Sequence, residues 1–450
     1  MNDTPVIRVI GAGLAGCEAA YQAARLGVRV ELYEMKPHKF SPAHHDPRFA
    51  ELVCSNSLRS DQLSNAVGLL KEELRRLGSL ILEAADRTRV PAGSALAVNR
   101  TDFSSYITDV IRQHPLITVH DEEVTEIDTD RITVVATGPL TSEGMAETVA
   151  RLTGGDELHF FDAAAPIVDF DSVNTDIAFF ASRYGKGEPT DYLNCPMTRE
   201  EYDRFYDALV HAEVAPLKAF DRELQQDLTV FEGCMPVEVM AARGRDTLRF
   251  GPMKPVGLPC PRTGEDAYAT VQLRRENREG TMYNLVGFQT HLTFPEQKRV
   301  FSMIPGLENA TFFRYGVMHR NTYMQSPGKL CATYAMRTYP KVYFAGQMTG
   351  VEGYIESTSS GFVAGLNAAR AALGLSPAVF SPETQIGALA RYVSEGGVSK
   401  DFQPMNANFG IIAPLQQKVK GGKKARNEVY AERSLAVIDA FVADAYRTNV

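Results

Sequence analysis

Residues 6–34 read VIRVIGAGLAGCEAAYQAARLGVRVELYE, and the order of features in this stretch decides the fold. Val6–Ile10 is an apolar run of the kind that forms a buried parallel strand. Gly11, Gly13 and Gly16 then supply a tight turn, a close backbone approach to a pyrophosphate, and close packing of a helix on the strand. Ala12, Leu14 and Ala15 complete this loop and lead into the helix, whose N-terminus faces the anion. A second strand is expected over 28–33. Glu34 follows it at the ~20-residue distance where a carboxylate accepts hydrogen bonds from a ribose 2′-hydroxyl and repels a 2′-phosphate. FAD or NAD therefore fits better than NADP. A lone GxGxxG is weak, but strand, loop, helix, strand and acid in this order argue against an ordinary glycine turn.

The chain has 450 residues, 44% hydrophobic and 23% charged, enough for two or three soluble globular domains. The start, MNDTPVIRVI, has no basic segment followed by an apolar core, and no segment reaches the ~18 apolar residues needed to span a bilayer. A cytoplasmic protein without membrane partners is expected. The six cysteines show no CxxC pair and no zinc spacing, so they read as reduced thiols with no metal site. The net charge of −8 argues against indiscriminate nucleic-acid binding.

Helical spacing of Leu69, Leu70, Leu74, Leu77 and Ile81 predicts one amphipathic helix over 64–83, with Lys71, Glu72, Arg75 and Arg76 on its outer side. A helix is expected over 101–111 and strands over 117–120 and 131–136, the last leading into Ala136-Thr137-Gly138. Residues 341–365, KVYFAGQMTGVEGYIESTSSGFVAG, read as a strand, a glycine turn and a helix. Residues 183–196 look like a linker rich in Gly, Pro and Asp, and 197–228 reads as helical. Strands are expected over 271–273 and 283–288. A C-terminal helix should bury Leu435, Ile438 and Phe441 behind a basic segment at 418–426.

A strand ending in Ala-Thr-Gly resembles the second nucleotide-contact motif of two-dinucleotide-fold flavoproteins, and 341–365 resembles their third. This implies an α/β fold: a Rossmann-like FAD-binding domain, with Gly138, Gly346, Gln347, Gly350, Gly353 and Tyr354 joining the glycine loop at one site. Most of that group place an acid where Gln347 stands. About two hundred residues between Gly138 and Lys341 exceed what such a fold needs, so a smaller α+β domain is expected there. The division expected is 1–180 for the first part of the FAD-binding domain, 181–318 for the insertion, and 319–450 for the second part with a basic helical end.

Two cysteines stand in turns: Cys54 in LVCSNSL and Cys234 in FEGCMPVE. A thiol in a tight polar turn is a better nucleophile candidate than Cys17 inside an apolar helix.

The blocks GAGLAGCEAA, PAHHDPRFAELVCSNSLRS, DYLNCPMTREEY, FEGCMPVE, RFGPMKPVGL, GFQTHLTFPEQKRVF, RYGVMHRNTY and AGQMTGVEGYIES resemble the folate- and FAD-dependent tRNA uracil-5-methyltransferases of bacteria, the TrmFO family, from Val6 to about Gly410. The resemblance implies methylation of C5 of the T-loop uridine of tRNA, with 5,10-methylenetetrahydrofolate as carbon donor and NADH or NADPH as reductant. It implies no obligate protein partner. The chemistry is coherent. C5 of uracil is a weak nucleophile until a thiolate adds at C6, a base must then remove the C5 proton, and the resulting exocyclic methylene needs a hydride, which reduced flavin supplies. By resemblance Cys234 is the uracil nucleophile and Cys54 its partner in protection or proton transfer; the reverse order stays open.

His319 and Tyr354 are candidates for stacking on a pterin or isoalloxazine ring. Arg243, Arg245, Lys254, Arg274, Arg275, Arg278 and the run Lys418, Lys420, Lys423, Lys424, Arg426 are candidate cations for the folate tail and the tRNA T arm. The target base must leave its stack to react. Two other readings fit the first motif: the related flavoprotein that modifies wobble uridines with a GTPase partner, and a non-catalytic flavin- and tRNA-binding protein.

Overall fold

The computed structural model describes residues 4–155, 157–163, 165–215, 235–261, 264–277, 280–316, 318–395, 402, 404–417 and 419–447. Its first body is a parallel sheet of five strands in the order β16-β7-β1-β2-β6. These strands are β1 (Val6–Ile10), β2 (Arg29–Tyr33), β6 (Ile117–His120), β7 (Thr133–Val135) and β16 (Val342–Phe344). The central strand β1 pairs in parallel with β2 and β7, and β7 with β16. The three sequence pieces expected to share one site thus end side by side at the same edge of one sheet. Ligands bind in such sheets at the carboxyl ends of the strands, where strand order reverses.

Two helices lie backbone to backbone against this sheet, Leu14–Arg25 and Tyr354–Ala372. Their closeness depends on small residues. A Cβ on Gly361 would stand 2.2 Å from Ala15 O, and one on Gly365 2.3 Å from Ala19 O. The contact brings both helix N-termini to the carboxyl edge of the sheet. A small sheet of β3 (Ser57–Ser60), β4 (Arg89–Val90) and β5 (Ala95–Val98) flanks this body.

The second body is an antiparallel sheet in the order β10-β11-β12-β13-β9-β14, with its own apolar core. Its strands are β9 (Ile167–Asp169), β10 (Phe179–Phe180), β11 (Tyr192–Met197), β12 (Ala269–Arg275), β13 (Met282–Leu285) and β14 (Phe312–Arg314). A two-stranded antiparallel ribbon, β8 (Glu157–Ala163) and β15 (Met318–Met324), carries the chain out to this sheet and back. The α/β fold is the one the sequence implied, and the inserted part, expected as a smaller α+β domain, is built on an antiparallel sheet.

Three local expectations change. The helix expected over 64–83 is two helices, Ala66–Leu77 and Leu80–Arg87. Gly78 breaks it at φ +80°, and Ser79 Oγ accepts the Leu82 N–H at 3.3 Å to start the second. Lys71 points inward, its Nζ donating to Leu58 O at 2.8 Å and Ser60 O at 2.7 Å. The stretch read as a linker over 183–196 ends in β11, an interior strand of the second sheet. Its alternating Leu193, Cys195 and Met197 face the core. The helix expected over 197–228 spans Arg199–Val210 and stops there: 211–215 is non-helical, with Val214 bridged to Leu292, and 216–234 lies outside the described residues. The C-terminal helix Gly422–Arg447 buries Leu435 and Ile438 as expected.

Candidate active site

The glycine loop divides its work among its three glycines. Gly11 takes φ +98° and donates its N–H to Tyr33 O at 2.7 Å; a Cβ there would lie 2.5 Å from Ala136 O. A Cβ on Gly16 would lie 1.7 Å from Gly11 O. These two glycines let the loop pack on its own fold. A Cβ on Gly13 would meet nothing within 4 Å, and Gly13 caps the helix with no side-chain bond. The helix N-terminus is therefore open to a phosphate. Glu34 is 7% exposed and accepts the Ala12 N–H at 2.7 Å and the Lys36 N–H at 3.0 Å. Its fixed carboxylate stands where a ribose hydroxyl would be held.

A cavity of about 410 Å³ runs from this loop across the carboxyl edge of the sheet to the inserted sheet, a size ordinary for a cofactor or ligand site. Loop residues 11–15, Glu34 and Gly138 form one wall, and Gly346, Gln347, Gly353 and Tyr354 another. Gly16 and Gly350 lie behind these walls; a Cβ on Gly350 would run into the Phe402 ring at 2.4 Å. Gln347 Nε2 donates to Glu352 Oε2 at 2.9 Å, so a buried acid five residues on orients the amide that stands in the acid's place. Arg274, Asn284 and Gln289 of the second body close the far side.

Cys54 also lines the cavity, on an irregular turn held by distant side chains. Tyr354 Oη accepts the N–H of Cys54 at 2.8 Å and of Ser55 at 3.2 Å. Arg100 donates to Leu52 O and Cys54 O and pairs with Glu276 at 2.7 Å. Arg314 Nη2 donates to Val53 O at 2.7 Å. Arg274 donates from Nη2 to Ser55 Oγ at 2.7 Å and from Nε to Asn56 Oδ1 at 3.2 Å. Burial holds the guanidinium pKa of Arg274 and of Arg314 below the usual arginine value. Burial, and next the neighbouring Cys54, push the Tyr354 phenol up.

The remaining sequence candidates divide. Cys234 lies outside the described residues; the chain is described again from Met235, and Val237 donates its N–H at 2.7 Å to the carbonyl of Gln289, a cavity residue. His319 sits on β15 opposite Asp162, with its side chain outside the described residues. Arg274 is a buried clamp rather than a surface cation. Arg245 pairs with Asp203 at 2.7 Å. Arg278 and Lys418 fall outside the described residues, whereas Lys420, Lys423, Lys424 and Arg426 are exposed.

Sequence reasoning missed Glu352, Asn284 and Gln289, together with the contact of Ser41 Oγ with His44 Nδ1 at 2.5 Å on the cavity wall. His44, Gln289 and Glu352 fall inside the quoted blocks at 42–60, 287–301 and 345–357, which were the signal for them; Ser41 and Asn284 fall outside every quoted block. Among the described residues no helix is long and apolar enough to cross a membrane, and no group of three or more His, Cys, Asp or Glu is placed to hold a metal.

Comparison with known proteins gives a consistent picture. The sequence model of the glucose inhibited division protein A family matches residues 6–376. The methylenetetrahydrofolate–tRNA-(uracil-5-)-methyltransferase TrmFO of Acetivibrio thermocellus is 60% identical over 97% of this chain and 98% of its own length. The protein of the same name from Geobacter sulfurreducens is 58% identical over 98% of this chain and 99% of its own. Among solved structures, GidA of Aquifex aeolicus superposes with a TM-score of 0.69 at 17% identity, covering 97% of this chain and 73% of that one. At that identity the likeness is one of fold.

Proposed function

The chain belongs to the TrmFO family of methylenetetrahydrofolate–tRNA-(uracil-5-)-methyltransferases, and we propose that its cavity carries the whole reaction, from folate to the T-loop uridine of tRNA, with FAD as resident cofactor and NADH or NADPH as reductant. The enzyme transfers a one-carbon unit to C5 of a tRNA uracil. One observation carries the finer reading: a single cavity joins an open phosphate cradle at Gly13 to a cysteine turn and to polar side chains of the inserted sheet.

The residues present fit FAD. The uncapped helix at Gly13 offers N–H groups to the pyrophosphate, Glu34 offers a fixed carboxylate to the ribose, and Gly346 to Tyr354 leave a wall for the remainder. When bound, the flavin supplies the hydride that turns a methylene into a methyl group. The protein's own groups do the rest. Cys234 is proposed to add to C6 of the uracil, which makes C5 nucleophilic, and Cys54 to assist as its partner in proton transfer or protection. Arg274, Asn284 and Gln289 bring donors and acceptors to the far side of the cavity, where a flipped base has to be held. The exposed run Lys420, Lys423, Lys424 and Arg426 is proposed to meet tRNA phosphates.

The wobble-uridine reading is weaker, because the chain is 60% identical to the TrmFO relative over 98% of that protein's length. Replacing Cys234 by Ala tests the roles. The variant should keep flavin and tRNA binding and form no 5-methyluridine. Full turnover by this variant would remove Cys234 from the mechanism.

A further inference from the structure

The turn that carries Cys54 belongs to no strand or helix, so its position is set by the side chains that reach it. We propose that Arg274 and Arg314 of the inserted sheet, with the Tyr354 hydroxyl, are positioning residues that fix the Cys54 thiol in the cavity and make its placement depend on the docking of that sheet. This rests on the reading of Cys54 as a working thiol, and deepens it.

The contacts are dense and come from three directions. From the inserted sheet, Arg314 holds Val53 O and Arg274 holds Ser55 Oγ together with Asn56 Oδ1. Asn56 answers with Nδ2, donating at 2.9 Å to Arg275 O on the same inserted strand. From the start of the long helix, Tyr354 Oη takes the adjacent N–H groups of Cys54 and Ser55. Arg100 closes the set from the first body.

A turn stabilised only by its own sequence needs none of this. Burying cations is costly without carboxylate partners, yet neither Arg274 nor Arg314 forms an ion pair among the described residues. Glu276 pairs directly with Arg100 and acts on Arg274 as a nearby charge without a contact ion pair. The two guanidiniums are placed for the carbonyl, hydroxyl and amide oxygens of the cysteine turn.

The two arginines act by different geometry, and that separates positioning from charge. Arg314 makes one bond to one carbonyl, which a lysine ammonium can replace. Arg274 spans two acceptors with two nitrogens of its fork, which a lysine cannot.

The test uses full-length, FAD-loaded protein. Iodoacetamide labelling of the Cys54 peptide is followed by mass spectrometry, beside thermal melting, flavin affinity, and kcat and KM for tRNA. Arg314→Gln, Arg274→Gln and Tyr354→Phe should each label Cys54 about fivefold or more faster, because each leaves turn groups without a partner. Each should lower kcat, with KM for tRNA little changed in Arg314→Gln and Tyr354→Phe, whose side chains are not among those proposed to hold the base. Arg314→Lys should return both readings toward wild type and Arg274→Lys should not. Tyr354→Phe keeps the ring, so loss of stacking does not confound it.

Wild-type labelling and kcat in folded Arg314→Gln and Tyr354→Phe proteins would overturn the proposal. So would equal rescue by both lysine variants. Labelling needs no tRNA or folate, so a failed methyl-transfer reading would leave its outcome untouched.

Discussion

Glu34 holds two backbone N–H groups at once, those of Ala12 and Lys36, and so ties the glycine loop to the end of the second strand before any ligand arrives. Glu34→Gln replaces one accepting oxygen by a donor that faces a donor. FAD affinity should fall about tenfold or more, since hydrogen bonds to a charged group contribute ~1.5–3 kcal/mol; flavin fluorescence titration measures it, and unchanged affinity would remove Glu34 from the ribose site. The glycines and this acid were legible because their constraints are local: a turn, a close approach, a fixed distance along the chain. The partners of Cys54 were not. Arg274, Arg314 and Tyr354 stand 219, 261 and 300 residues from the groups they hold, and no periodicity or spacing encodes such pairs. Arg274 was visible as a cation, but its burial against a serine and an asparagine was not.

Among elements, the strands with clear apolar runs and the helices with a regular stripe emerged where the sequence put them. Two of the misreadings share a cause. Leucines at helical spacing on both sides of Gly78 concealed the break that its left-handed backbone makes. The Gly, Pro and Asp content of 183–196 concealed a strand whose alternation starts only at its end. Lys71 and Glu73, on one helix, show how tertiary context overrides a charged residue's preference for solvent. Glu73 is fully buried, accepting the Gln385 N–H at 2.7 Å and the Ile386 N–H at 2.8 Å at the start of helix Gln385–Glu395, and the Ser434 hydroxyl of the C-terminal helix. Burial pushes its carboxyl up to about 7 from 4.5. With the folded value raised, the folded state binds the extra proton, so this group's contribution is fully present below about pH 4.5 and is lost as pH rises through about 7. Thermal melts of Glu73→Gln and wild type should therefore differ by an amount that grows between these pH values, to the disadvantage of wild type. A constant difference would show that Glu73 does not titrate there.

At the scale of the molecule, two sheets with separate cores meet over one cavity, and the chemistry belongs to their junction. The parallel sheet supplies the cradle, the inserted body supplies Arg274 and Asn284 from its sheet and Gln289 from the loop after β13, and Cys54 lies on the turn between the two bodies. Composition alone bounded the chain as a globular protein with an acidic balance; family-specific blocks, read as a resemblance, carried the activity. How the two bodies share the site became visible only in three dimensions. The most direct measurement is a methyl-transfer assay. Purified flavin-loaded protein is given an unmodified tRNA transcript, NADPH or NADH, and 5,10-methylenetetrahydrofolate labelled in its methylene group, and the digested RNA is read by mass spectrometry. The account predicts label in 5-methyluridine from the T loop. Protein that is loaded with flavin and binds the tRNA, yet leaves no label in that nucleoside, would contradict it.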